Sequence, residues 1–242
     1  MMVYYHSDNT SDKSMNERQT QLFKLVTEHY IATAEPVGSK FLVAEAGLDW
    51  SEATVRNDLR ALEEEGLLTH PHTSAGRIPT SKGYRSYLND IVWADQKLKK
   101  NGREKLENLV QSEHELYKRQ MAKTLVDLTS ELVLVTESLS SFYYTGLSSL
   151  FAQPEFKDVE EITNFSRLFD QFERCVALFT DQVGSDVRCF VGGEHPFGER
   201  MGVVAVKFGT EKNELLAVLG PERMDYVACV PLVIRAAELL KH

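Results

Sequence analysis

Residues Ser39 to Tyr87 read SKFLVAEAGLDWSEATVRNDLRALEEEGLLTHPHTSAGRIPTSKGYRSY. The order is a short helix, a Gly turn at Gly47, a second helix opened by Ser51, and a Gly/Pro/Thr hairpin free of acidic residues. That sequence of elements predicts a helix-turn-helix followed by a wing, a device that places one helix in the major groove of DNA. Ser39 is expected to cap a helix from Lys40 to Ala46, Gly47 to supply positive φ, and Gly66 to stop the helix that Ser51 begins.

Upstream, Asn16 is placed to cap a helix through ERQTQLFKLVTEHYIATA, with Leu22, Leu25, Val26, His29 and Tyr30 on one face. Downstream, Leu67 and Leu68 start the wing, Arg77 and Ile78 return it, and Thr80 caps the helix SKGYRSYLND. In the helix after Gly47, Val55, Leu59 and Leu62 form an apolar stripe for the core. Ala53, Asn57 and Arg60 lie opposite, flanked by Thr54, Arg56 and Ala61. Asn and Arg pair bidentately with adenine and guanine edges, and small neighbours let the backbone approach the groove floor. The structural alternative is a solvated helix face.

The candidate DNA contacts are therefore Ser39, Lys40, Ser51, Thr54, Arg56, Asn57, Arg60, Thr73, Ser74, Arg77 and Lys82. Thr54, Asn57 and Arg60 are the base readers, and Arg56, Arg77 and Lys82 the phosphate contacts. Thr73 and Ser74 suit phosphate or the minor groove. The chain carries a formal net charge of −9, yet no Asp or Glu falls between Glu65 and Asp90. A cationic window holding Arg77, Lys82 and Arg85 in an acidic chain fits a local phosphate contact better than indiscriminate coating of DNA.

At 242 residues the chain is long enough for two modest domains. No run of about 18 apolar residues predicts a transmembrane helix, and the polar start MMVYYHSDNTSDKSMNE lacks the pattern of a secretory signal. The expected location is the cytoplasm, where three scattered cysteines (Cys175, Cys189, Cys229) remain reduced. His70 and His72 lack a second cluster, so no metal and no cofactor is expected.

Residues 91 to 137 read as polar helix. Leu106, Leu109, Val110, Glu113, Leu116, Tyr117, Met121, Leu125, Leu128 and Leu132 form a seam suited to pairing with another helix or to docking on the chain's own second domain. Beyond it, SRLFDQFERCVALF reads as a helix, and VRCFVGG, GVVAVKFG and ELLAVLG as strands. MDYVACVPLVIRAAELLKH reads as a closing helix interrupted near Pro231. Glu194-His195, Ser140-Ser141 and Gly192-Gly193 have turn or cap readings and assemble no catalytic constellation, so no enzyme is expected. The fold class is α+β, divided into a tail (1–15), a winged helix (16–92), a helical linker or dimerisation segment (93–137) and a regulatory domain (138–242).

Several long strings make the chain resemble the heat-inducible transcription repressors of the HrcA family. They include YIATAEPVGS and HPHTSAGRIPT, then VGGEHPFG, YYTGLSSLFAQPEFKD and VLGPERMDYVACVPLV. The resemblance implies a homodimer that binds an inverted-repeat operator in double-stranded DNA upstream of chaperone genes, with the chaperonin as a partner that keeps it active. It also implies a GAF-like C-terminal domain. The chain departs from the family in passing from LTSELVLVTES almost directly to YYTGLSSLF, which makes that domain a reduced one. Two rivals stand beside this reading: a winged-helix repressor controlled by a small molecule, and an interaction module that no longer binds DNA.

Overall fold

A computed structural model describes residues 15–45, 47, 49–71, 76–90, 98–109, 114–138, 141–157, 159–209 and 214–241. Two compact units divide the chain, one within residues 6–91 and one within 92–242.

The first unit opens with α1 (Glu17–Thr33). Its N-terminus is closed by a capping box: the Asn16 side chain accepts from the Gln19 N–H at 2.9 Å, and the Gln19 side chain accepts from the Asn16 N–H at 3.1 Å. Helix α2 (Ser39–Glu45) and helix α3 (Glu52–Glu64) follow, joined through Gly47 at φ 62°. Ser51 caps α3 by accepting from the Thr54 N–H, and Gly66 at φ 75° turns the chain out of it. Strands β1 (Leu68–Thr69) and β2 (Ile78–Pro79) pair antiparallel, Leu68 opposite Pro79, and α4 (Ser81–Asp90) closes the unit.

Leu22, Phe23, Val26, Val37, Leu42, Val55, Leu59, Leu62 and Leu67 meet in one core. Each such side chain contributes roughly 1.5–3 kcal/mol by leaving water, which is what holds three short helices and a two-residue ladder in place. On α1 the buried set is Leu22, Phe23, Val26 and Thr27, while Leu25, His29 and Tyr30 are only half-buried. The core stripe is therefore rotated toward Phe23 relative to the face expected from spacing.

The second unit is built on a five-stranded antiparallel sheet of order β4-β3-β7-β6-β5. Its strands are β3 (Leu132–Ser138), β4 (Ser141–Thr145), β5 (Arg188–Val191), β6 (Met201–Phe208) and β7 (Glu214–Pro221). Alternate residues supply opposite faces. One face presents Leu132, Leu134, Val203, Ala205, Leu215, Ala217 and Leu219 to an aromatic layer from α7 (Leu147–Phe151), α8 (Val159–Phe169) and α9 (Phe172–Gln182). The other face carries α6 (His114–Thr129) on β3 and β4, and α10 (Tyr226–Leu239) on β6 and β7; α5 (Lys100–Glu107) packs on α6 and α10. The molecule is mixed α+β, a helix-turn-helix unit followed by helices around an antiparallel sheet.

Three expectations are corrected here, and the seam takes one of the two readings left open for it. The helix expected to run to Glu137 ends at Thr129, and Leu132–Ser138 is a central strand. Ser130 makes the break by adopting φ 60°, a left-handed turn with no Gly or Pro to announce it. The seam residues Leu106, Tyr117, Met121 and Leu125 are buried inside this unit, so they dock on the chain's own sheet and on α10. The single helix expected from SRLFDQFERCVALF is two, α8 and α9, parted at Asp170-Gln171. The closing helix runs through Pro231 without interruption. The N–H that Pro231 lacks would have reached the carbonyl of Val227, an exposed residue whose backbone water can serve. Smaller shifts occur at Ser39, which is the first residue of α2 rather than its cap, and at the wing, whose first strand is Leu68–Thr69.

Candidate nucleic-acid interface

Helix α3 has two distinct sides. Val55, Asp58, Leu59 and Leu62 are buried, whereas Ala53, Arg56, Asn57, Arg60 and Glu64 are exposed. The exposed positions recur at spacings of three and four, so they form one continuous face. Two guanidiniums stand on it with one amide between them, beside a side chain as small as a methyl group. The Arg60 side chain is 75% exposed and its Nε lies 3.0 Å from Glu64 Oε1; Arg56 Nη2 lies 2.5 Å from Glu52 Oε1. Exposed pairs of this spacing are worth about 0.3–0.5 kcal/mol. Either guanidinium can therefore leave its carboxylate for a base edge or a phosphate at little cost.

The other candidates divide. Thr54 is half-buried, its hydroxyl 2.9 Å from the Ser51 hydroxyl at the head of α3. Lys40 is exposed at the head of α2, while Ser39 turns its hydroxyl to Glu52 Oε1 at 3.2 Å, joining α2 to α3. Lys82 is exposed and donates to the Glu65 carbonyl at 3.0 Å, satisfying the C-terminal end of α3. Thr73 and Ser74 lie outside the described residues. Arg77 is drawn inward: its side chain is 13% exposed, and Nη2 sits 3.0 Å from Glu63 Oε2. Its backbone N–H and C=O pair with Val37 at 2.8 and 2.9 Å, so β2 is braced on the α1–α2 connection. The structure thus gathers Lys40, Ser51, Thr54, Arg56, Asn57 and Arg60 on or beside α2 and α3. It gives Ser39, Arg77 and Lys82 intramolecular partners.

Sequence reasoning missed the group that orients α3. Asp58 is buried on the apolar side, where its carboxylate takes Arg18 in a fork, Nε to Oδ2 at 2.5 Å and Nη2 to Oδ1 at 3.2 Å. Arg18 also stands over the Trp50 ring, 5.9 Å from its centroid, and Asp58 holds the guanidinium above its ordinary pKa. This pair sets the angle of α3 on α1. A charged residue interrupting an apolar stripe, with an Arg in the first turn of α1, is the signal that was available.

In the second unit, Glu194 and His195 have structural work. The Glu194 carboxylate accepts from the Val191 N–H at 2.9 Å. His195 Nδ1 accepts from the Phe197 N–H at 3.1 Å, which leaves its Nε2–H to donate to the Met201 carbonyl at 2.9 Å. The imidazole is thereby fixed as the neutral Nε2–H tautomer, and burial lowers its pKa from the ordinary value. Cys175, Cys189 and Cys229 are buried free thiols. Among the described residues, no group of three or more His, Cys, Asp or Glu is placed to hold a metal, and no helix is long and apolar enough to cross a membrane.

Comparison with known proteins places these units. The family model described as the HrcA protein C-terminal domain matches residues 83–230, and that of a DeoR-like helix-turn-helix domain matches residues 18–80. The heat-inducible transcription repressor HrcA of Acaryochloris marina is 41% identical over 128 residues, 52% of this chain and 35% of that relative. Its counterpart from Nocardioides sp. is 58% identical over 76 residues, 31% of this chain and 23% of the relative. The chain thus spans between 23% and 39% of the length of the curated relatives it matches. The fold is shared with a hypothetical protein of known crystal structure, at a TM-score of 0.78 and 16% identity over 94% of this chain and 98% of that one. With one family model covering more than half of its residues, the chain belongs to the HrcA family.

Proposed function

We propose that this protein is a DNA-binding repressor of heat-shock genes that acts as a homodimer on an inverted-repeat operator. One observation carries the reading: the exposed face Ala53-Arg56-Asn57-Arg60 of α3, held by a buried apolar stripe and the Arg18–Asp58 fork, with the wing beside it. The relatives' name, heat-inducible transcription repressor, supports it. In this reading α3 enters the major groove, Thr54, Asn57 and Arg60 read base edges, and Arg56 and Lys40 meet phosphates. Lys82 and Arg77 flank the groove, with Arg77 serving mainly to hold the wing. A second copy supplies the second half-site, since half-site spacing is set by a dimer. Coupling to the chaperonin rests on the family resemblance alone.

A second reading has one observation behind it. A groove of about 550 Å³ opens on the aromatic side of the second unit, among Phe156, Phe165, Cys175, Phe197 and Met201, with Arg167 and Arg200 at its rim. Its size suits a small organic effector.

The deciding experiment is a fluorescence-anisotropy titration against an inverted-repeat operator from a chaperone promoter and a scrambled duplex, at two salt concentrations, with and without chaperonin. A preference for the operator of about 10³-fold or more is expected. Equal, weak binding to both duplexes would overturn the reading.

A further inference from the structure

Among the described residues, one carboxylate of α3 reaches both limbs of the wing, and we infer that this residue, Glu63, positions the wing for DNA binding. The inference rests on the DNA-binding reading and adds to it a residue that never touches the nucleic acid. Glu63 lies on α3 outside both the buried stripe and the exposed face. Its Oε2 is 3.0 Å from Arg77 Nη2, and its Oε1 is 3.3 Å from His70 Nδ1. His70 follows β1 and Arg77 precedes β2, so one oxygen holds each limb of the hairpin. The strands themselves supply only two residue pairs, too little to fix a hairpin's angle.

The remaining ties at this base keep the limbs close without orienting them on the outer face of α3. Thr80 donates its hydroxyl to the Gly66 carbonyl at 2.6 Å, and the Thr80 N–H reaches the Leu67 carbonyl at 3.0 Å. Arg77 extends the ladder to Val37 through its backbone. Among the described residues, Glu63 is the side chain whose ion pairs reach both limbs from the helix that carries Asn57 and Arg60. An acidic group beside a DNA-binding face also repels phosphate, so it costs affinity unless it does something that outweighs the repulsion. Here its charge is directed onto Arg77 and His70.

Electrostatics and positioning predict opposite signs. Removing one negative charge near DNA tightens binding to every duplex; releasing the wing weakens binding to the operator. Glu63→Gln keeps shape and removes charge, and Glu65→Gln is the charge-matched control on the same helix end. Titrations are run well below the unfolding temperature, on the operator and the scrambled duplex, with Glu63→Gln, Arg77→Gln and the double variant. Glu63→Gln is expected to bind the operator about tenfold more weakly, while Glu65→Gln binds no more weakly than the unaltered chain. The double variant should be no weaker than the weaker single variant, because one tie is broken only once.

Amide hydrogen exchange is measured on the same variants without DNA, where Glu63→Gln should speed exchange at Val37 and Arg77. Operator binding by Glu63→Gln as tight as or tighter than that of the unaltered chain overturns the inference, as does unchanged exchange at those two amides. If the unaltered chain itself shows no operator preference, the DNA-binding reading has failed. The exchange measurement then still decides whether Glu63 holds the wing.

Discussion

Arg60 is the side chain on which the base-reading proposal is most exposed to test. Among the described residues its ion-pair partner is Glu64, four residues along a solvated helix face, so its removal leaves no buried partner stranded there and the helix intact. Arg60→Ala should cost about 1–3 kcal/mol on the operator and relax base preference at one position per half-site. Competition titrations against single-base operator variants check it; equal weakening on all sequences would assign Arg60 to a phosphate. Glu131 is the opposite kind of residue. It is buried, its Oε2 has no hydrogen-bond partner among the described residues, and it faces Gly220, where any Cβ would overlap the carboxylate. Burial pushes its carboxyl up to about 8, with Arg223 opposing the rise and Glu155 adding to it. The unfolded chain therefore ionises first as pH rises. The stability contributed by neutral Glu131 is fully present below about 4.5 and is lost as pH climbs through about 8. His195, with its pKa lowered by burial, works the other way: its contribution is lost only as pH falls below about 6.5. Between pH 6.5 and 8.5 the thermal midpoint of the second unit should fall, and Glu131→Gln should flatten that fall. Parallel pH profiles for the two proteins would remove Glu131 as its cause.

Helix α4 shows why an element's sequence is sometimes worse than its propensity allows. Gly83 sits inside it, where Ala would be favoured by about 1 kcal/mol, but a Cβ there would run into the backbone carbonyl oxygen of Leu67 and approach Phe23. The helix needs a glycine because it lies directly on the wing base. Gly83→Ala should lower the stability of the first unit by about 1–3 kcal/mol despite its better helix propensity, read as a lower midpoint in thermal unfolding; a raised midpoint would mean the two backbones can part freely. The caps and turns of the first unit were legible in sequence because local chemistry determines them: Asn16 and Ser51 accept from helix N–H groups, and Gly47 and Gly66 take positive φ. Gly83 was not legible, since its reason lies 16 residues away in chain and only in space. Nor was β3. Leu132-Val133-Leu134-Val135 is buried on both faces, so it lacks alternation, and it continues the apolar spacing of α6 without a breaker. Arg77 was legible as a cation in the wing but not as an inward one, because Glu63 reaches it across the fold rather than along the chain.

At the scale of the whole molecule, the proposed function asks an acidic chain to bind an acidic polymer, which it can do by dividing labour. Residues 66 to 89 carry Arg77, Lys82 and Arg85 and no acid, while the total remains −9. This acid-free cationic window lies in the unit that carries α3, and the net charge discourages indiscriminate adhesion to DNA. The two units also keep separate cores: Leu22, Val55 and Leu62 belong to one, Leu134, Val203 and Leu219 to the other. Cores that share no residues have no packing reason to melt together, and substitutions in them should act independently. Leu62→Ala and Leu216→Ala make the comparison with equal chemistry, since both side chains are fully buried and each loss costs about 2–5 kcal/mol. Calorimetry with site-resolved hydrogen exchange should show Leu62→Ala weakening protection at Val26 and Leu59 but not at Val204, and Leu216→Ala the reverse. The functional consequence is asymmetric. Leu62→Ala destabilises the helix face proposed to read bases, whereas Leu216→Ala leaves that face folded and would act on operator binding only through whatever the second unit contributes to the proposed pairing of two copies. An operator affinity that survives Leu216→Ala unchanged, at protein concentrations near the dissociation constant, would therefore argue that the proposed dimer contact lies outside the sheet unit.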